Sequence, residues 1–340
     1  VAVLAAGNAW AVGSYADTGG GRTLVEHWSG TAWSVVPSPD PGGDSGDFLS
    51  AVSALSPSAI WAVGEYESGG RSKTLIVRWN GTSWNQVASP SPGLDDYLNG
   101  VWAVSARDVW AVGYYNNGPP AGNSLILHWD GRRWTQTPSP DPGFRDELDA
   151  VTATSAASAW AVGSSGSQQQ PGRPFILHWN GTAWTRAIIP HLKGTGGELL
   201  GVNATSAVNV WAAGDVTDSA GEHTLLLRWD GTGWTRAPSP DPGGSGVIDS
   251  LRGVAATSAD SAWAAGYISN GAYYQSLILH WNGTAWTRAA SPSPGAGGNL
   301  VGIAAISPAN AWAVGQFGAV GGDDAFAVRY CTRAAASSAA

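Results

Sequence analysis

Six aromatic residues lie among acidic and turn-forming neighbours: Tyr97, Tyr114, Tyr115, Phe144, Tyr273 and Tyr274, beside Asp96, Asn116 and Asp146. Aromatic faces stack on sugar rings, and carboxylate or carboxamide oxygens accept hydrogen bonds from sugar hydroxyls, so this mixture suits a carbohydrate ligand. The same rings with the same polar neighbours equally make a protein-binding hot spot. Tyr115 has a further reading as a core residue, because Tyr15, Tyr66 and Phe317 hold the same repeat position.

Other chemistries find less support. His27, Arg78, His128, His178, Arg228, His280 and Arg329 share one repeat position. Arg cannot ligate a metal, so a structural hydrogen-bonding role is expected there. Most of the 25 acidic residues, among them Asp44, Asp95, Asp149, Asp215, Asp218 and Asp323, fall in two sets of links that share one face. That face reads as a solvated acidic rim with no cofactor, Ca²⁺ held by clustered carboxylates being the minority alternative. The single cysteine, Cys331, excludes an internal disulfide and a Cys-rich metal site. Paired carboxylates for glycoside hydrolysis stay open, because that mechanism depends on a separation of roughly 5 to 10 Å that sequence does not give. The expectation is a protein that is not an enzyme. Nucleic acid is excluded as a partner, since the 17 Lys and Arg residues form no basic cluster. No apolar run reaches the roughly 18 residues of a membrane-spanning helix.

The elements that position these residues are repeats. Trp-Ala-Val/Ala-Gly recurs at Trp10, Trp61, Trp110, Trp160, Trp211, Trp263 and Trp312, a period of about 50 residues. A longer phrase, "SLILHWNGTAWTRAASPSPG" from Ser276, has relatives starting at Thr23, Thr74, Ser124, Pro174 and Thr224. Each unit reads as four short strands, A to D, rich in Val, Ile, Leu, Trp and Thr and separated by Gly, Pro, Ser and Asn. Asn80-Gly81, Asp130-Gly131, Asn180-Gly181, Asp230-Gly231 and Asn282-Gly283 predict two-residue type I′ turns between strands C and D. Antiparallel four-stranded units repeated in this way close radially. The fold class is therefore all-β, a seven-bladed β-propeller with an incomplete last blade, forming one domain over 1–333 with a loosely ordered tail at 334–340. The Trp residues of strands B, C and D fill the space between blades. The C–D turns are near-identical while the B–C links vary freely, which marks the face carrying the B–C and D–A links as the binding surface.

The segments "GVAATSADSAWAAG" and "LILHWNGTAWTRAASPSP" resemble the kelch repeat of kelch and galactose-oxidase-type propellers. They are also similar to the Trp-Ala-Val-Gly repeat proteins of bacterial secretomes. One Gly stands where kelch has a pair, and Trp where kelch commonly has Tyr. The resemblance implies the propeller fold. The copper chemistry of galactose oxidase is excluded, because it needs a Cys-linked Tyr and the one Cys lies at the end of the last unit. The resulting reading is a secreted or surface-exposed, monomeric binding module that recognises a glycan or polysaccharide. A protein-interaction scaffold or sensor domain is the alternative, and a glycan-active hydrolase or lyase a third.

The ends carry one more expectation. Val1-Ala2-Val3-Leu4 aligns with Ile303-Ala304-Ala305-Ile306, and Cys331 stands where a C–D turn would begin. The last unit is expected to lack strand D, and a precursor is expected to carry a "GTxWxxxPSPxPG"-like segment before Val1 that supplies it.

Overall fold

The computed structural model describes residues 1–331, apart from 19, 119–121, 141–142, 168–169, 294–296 and 320–321. The expected loose tail, and the question of a fourth strand in the last unit, fall on 332–340, outside the described residues.

Among the described residues 27 strands form seven consecutive antiparallel units. In unit 3, strand A is Asp95–Ser105, B is Asp108–Asn116, C is Gly122–Trp129 and D is Trp134–Gln136. Units 1 to 6 repeat this A-B-C-D order, and unit 7 has A, B and C (Gly298–Ser307, Asn310–Ala319, Gly322–Cys331).

The strand B tryptophans join the units. Trp61 of unit 2 meets Trp129 and Trp134 of unit 3 at 5.1 and 5.4 Å, the second contact T-shaped. Trp10, Trp110, Trp160 and Trp211 repeat the arrangement against their next units. Trp263 meets Tyr330, which stands in the strand C position of unit 7. The series returns to its start, because Trp312 of unit 7 lies 5.1 Å from Trp28 and 5.5 Å from Trp33 of unit 1.

The shared His/Arg position stacks on the strand B Trp of its own unit. His27 lies 4.3 Å from Trp10 and His178 3.9 Å from Trp160, while the Arg78 guanidinium lies 5.1 Å from the Trp61 ring. Its polar edge reaches the start of strand B, as in His27 Nε2 to Asn8 Oδ1 at 3.0 Å and Arg228 Nη2 to Asn209 Oδ1 at 3.4 Å. Both residue types are flat and carry an N–H, which is what the slot uses.

The C–D links correct one expectation. Asn80 does not adopt positive φ, and only Gly81 does (φ 101°). Trp79 pairs with Trp84 across a four-residue loop, Asn80–Ser83, closed by the Asn80 side chain. Its Oδ1 accepts from Thr82 N, Thr82 Oγ1 and Ser83 N at 2.8 to 2.9 Å. Asp130 and Asp230 accept from the matching backbone N–H groups, so the side-chain oxygen, rather than a left-handed Asn, explains the Asn/Asp-Gly signal.

The Pro-rich exits have an equally local cause. Thr74 Oγ1 bonds Ser89 Oγ at 2.7 Å, and Thr224 Oγ1 bonds Ser239 Oγ at the same distance. In four of the exits the closing glycine then donates its N–H to an aspartate at the head of strand A: Gly42 to Asp47, Gly93 to Asp96, Gly143 to Asp146 and Gly243 to Asp249.

Candidate ligand-binding site

A recurring bulge positions the site. In unit 4, Leu148 pairs with Gly163 and Ala150 with Val162, so Asp149 is an extra residue without a strand B partner. Ser50, Asn99, Leu200, Arg252 and Val301 are its equivalents. A bulge re-aims the side chain it inserts. Here Asp149, Leu200, Arg252 and Val301, from four consecutive units, line one cavity of about 390 Å³ with Tyr267, Tyr274 and Asn299. Side chains from four successive units thus meet at one place.

Arg252 organises the cavity. Its Nη2 donates to Tyr267 Oη at 2.7 Å, and Nη1 lies 3.7 Å from Glu198 Oε1. Burial works against its charge, but the Tyr267 bond and the surrounding carboxylates prevail and raise its pKa. Burial also pushes the Asp149 carboxyl well above its ordinary range, reinforced by Glu147 and Glu198. Asp215 rises to about 7, through burial and then Glu222, although Ser250 Oγ donates to its Oδ2 at 2.8 Å. Glu147 and Glu222 are raised by burial as well. Carboxyl groups thus surround the one guanidinium, and burial holds Asp149 and Asp215 toward their uncharged forms.

Two buried polar atoms in this cavity, Asp149 Oδ2 and Asn299 Oδ1, make no hydrogen bond among the described residues. Buried polar atoms are ordinarily paired, so both are positioned to bond a bound molecule, the Asn299 oxygen as acceptor and the Asp149 carboxyl as donor or acceptor according to its proton.

The residues singled out from sequence do not converge on one place. Tyr274 lines the cavity and meets Tyr267 edge-to-face at 5.2 Å, while Tyr273 beside it is 62% exposed. Tyr97 and Tyr114 stack on each other at 4.6 Å. The Tyr114 hydroxyl is raised, first by burial and then by Glu147, which places it on the same electrostatic arc. Phe144 and Asn116 are half-buried and held by backbone bonds, Phe144 N to Gly166 O and Leu94 N to Asn116 O. Tyr115 packs against the core between units 2 and 3, the second of its two sequence readings. Asp96 and Asp146 are fully buried and hold the loop glycines Gly93 and Gly143, so neither presents a surface to a ligand. Among the described residues no three His, Cys, Asp or Glu side chains converge as a metal site would require.

Arg252, Tyr267 and Asn299 escape a reading centred on loops. For Arg252 the signal is a repeat one: within Leu-x-Gly/Ala-Val/Ile of strand A the Leu and the apolar end recur, while x runs Ser50, Asn99, Asp149, Leu200, Arg252, Val301.

No family model matches this chain, and no curated protein matches it. Solved structures do. YCF48 from Cyanidioschyzon merolae is 15% identical over 96% of this chain and 92% of its own, with a TM-score of 0.57. A protein of unknown function from Dyadobacter fermentans is 12% identical over 83% and 94%, with a TM-score of 0.54. An ulvan lyase, a polysaccharide lyase bound to -[GlcA(1-4)Rha3S]-, is 11% identical over 81% and 78%, with a TM-score of 0.52. With the repeated antiparallel units, these likenesses make the fold a β-propeller.

Proposed function

We propose that this chain is a closed seven-bladed propeller that works outside the cell or at its surface as a binding module, taking a neutral glycan at the axial cavity. The observation that carries this reading is the pair of polar atoms without a partner among the described residues, Asp149 Oδ2 and Asn299 Oδ1, in one cavity with the Tyr267 and Tyr274 rings. A ligand rich in hydroxyl donors with a flat apolar face meets both requirements at once. The Glu198 carboxylate 3.7 Å from Arg252 already offsets part of the guanidinium charge, which counts against uronate or sulfated chains. A scaffold of this fold accommodates a saccharide in the ulvan lyase. A second reading, an exposed protein segment as ligand, rests on Tyr273, which is 62% exposed beside the cavity.

An array holding neutral and anionic glycans side by side tests the proposal. Binding to neutral chains is expected. In Tyr274→Ala and Asn299→Leu the affinity for them should fall by about tenfold or more, a loss of roughly 1.4 kcal/mol. Neither Tm should drop, since Tyr274 is 48% exposed and the Asn299 oxygen makes no bond to lose. Binding confined to anionic glycans, or to none at about 1 mM, would sink the glycan reading.

A further inference from the structure

One Pro-rich exit departs from its repeats at the positions that carry chemistry. The exits of units 1, 2, 3, 5 and 6 read Ser-Pro-Asp/Ser-Pro-Gly, from Ser38, Ser89, Ser139, Ser239 and Ser291, whereas unit 4 reads Ile189-Pro190-His191-Leu192-Lys193. In units 1, 2 and 5 the third residue accepts the N–H of the strand C threonine. Asp40 Oδ1 takes Thr23 N at 2.7 Å, Ser91 Oγ takes Thr74 N at 3.0 Å, and Asp241 Oδ1 takes Thr224 N at 3.2 Å. Unit 4 has Pro174 in place of that threonine, with no N–H to give, and His191 in place of the acceptor.

A second carboxylate is lost at the same unit boundary. Arg22, Lys73 and His223 stand where unit 4 has Arg173, and each holds an aspartate: Asp17 at 3.0 Å, Asp96 at 3.5 Å and Asp241 at 2.5 Å. The strand A position that gives Asp96 to Lys73 is Gly197 here, paired with Val216 as Asp96 is with Tyr115. The Arg173 side chain makes one hydrogen bond among the described residues, Nη2 to Gly194 O at 3.2 Å. The Arg186 and His191 side chains make neither a hydrogen bond nor an ion pair among the described residues. These three cationic groups line one cavity of about 250 Å³ with no Asp or Glu in its wall. Pro174, Ile189, Leu192 and Val216 give it an apolar side, and Leu192 and Val216 belong to the core between units 4 and 5. It shares no residue with the Arg252 cavity.

We infer that this cavity binds a carboxylate carried on a small apolar body, in the place of the aspartates that the sister units supply. A guanidinium fork matches the two oxygens of a carboxylate, and a carboxylate is the group that the equivalents of Arg173 already hold. The apolar side takes an aliphatic group. A volume below the roughly 300 Å³ of the smallest drug-sized pockets limits that group to the size of a side chain. A small free acid and the carboxyl-terminal residue of a peptide offer this same chemistry.

Isothermal titration of the whole chain with N-acetylleucine tests the inference. Saturable binding with a Kd of about 1 mM is expected, and the uncharged N-acetylleucinamide should bind at least about tenfold more weakly. Arg186→Gln and His191→Asp install residues that other units carry at these positions, Gln86 and Gln136 for the first and Asp40 for the second. Both variants should therefore keep their Tm within about 2 °C of wild type and lose at least about tenfold in affinity. Tyr274→Ala, which alters only the other cavity, should bind N-acetylleucine as wild type does, so failure of the glycan reading leaves this result unaffected. The peptide acetyl-Ala-Ala-Ala-Leu separates the two sources: tighter binding than N-acetylleucine marks a chain terminus as the ligand, and equal or weaker binding a free acid. No saturation up to about 10 mM, equal binding of the amide, or undiminished binding by a folded variant would each overturn the inference.

Discussion

Replacing Trp211 by alanine is expected to cost about 3 to 5 kcal/mol of folding stability, the range for deleting a large aromatic side chain from a packed core. Trp211 has no exposed surface, and its ring is enclosed by groups from two units. The Arg228 guanidinium of its own unit lies 5.3 Å from it, and Trp281 and Trp286 of unit 6 lie 5.2 and 5.0 Å away. Three flat groups held against one another in this way cannot collapse into the vacancy without moving strands C and D of unit 6. Partial relaxation is what sets the size of a cavity penalty, so the cost belongs at the upper end. Trp263→Ala provides an internal comparison. Its ring meets Tyr330 and His280 but no strand D tryptophan of unit 7 among the described residues, and its cost should be the smaller. Urea denaturation of both variants measures the difference. A loss below about 1 kcal/mol for Trp211→Ala would mean that the units are not keyed through these rings.

The architecture was legible because its determinants are local and repeated. A Trp every 50 residues or so, and an Asn/Asp-Gly in five of the C–D hairpins, are short-range signals that recur often enough to fix unit boundaries. The turn type was not legible, because Asn80 can serve either through left-handed backbone or through its side-chain oxygen, and both leave Asn-Gly in the sequence. The site was legible only in part. Tyr274 was visible as an aromatic in a variable link, whereas Asp96 and Asp146 looked like rim carboxylates and are loop anchors with no exposure. Their role depends on Gly93 and Gly143 closing back on them at 2.7 and 3.1 Å, a geometry that charge and position do not announce. Arg252 and Asn299 line one cavity from two neighbouring units, so their juxtaposition arises from the angle between units and leaves no trace in either unit alone.

Asp215→Asn is expected to stabilise the protein at pH 8 by roughly 2 to 4 kcal/mol and to have little effect at pH 4. Asp215 is 3% exposed, and burial, then Glu222, lift its pKa from 3.8 to about 7. A carboxyl whose pKa is higher in the folded state than in the unfolded chain binds its proton more tightly when folded. Its contribution is therefore fully present below about pH 4 and is lost as pH rises toward 7, where the folded protein must carry a buried charge. Asparagine keeps the shape and an oxygen to accept from Ser250 Oγ, and removes that charge. Glu65, raised by burial to about 7, shifts wild-type stability in the same direction, while His27, His178 and His280, lowered by burial, act in the opposite sense below about pH 6.5. Both sets are common to variant and wild type, so the difference between the two stability curves isolates Asp215. That difference should open between pH 4 and 7 and hold level above. A difference that is constant with pH, or that closes as pH rises, would mean that Asp215 is ionised in the folded protein throughout. Arg252 would then compensate the surrounding carboxylates far more strongly than its 3.7 Å approach to Glu198 implies.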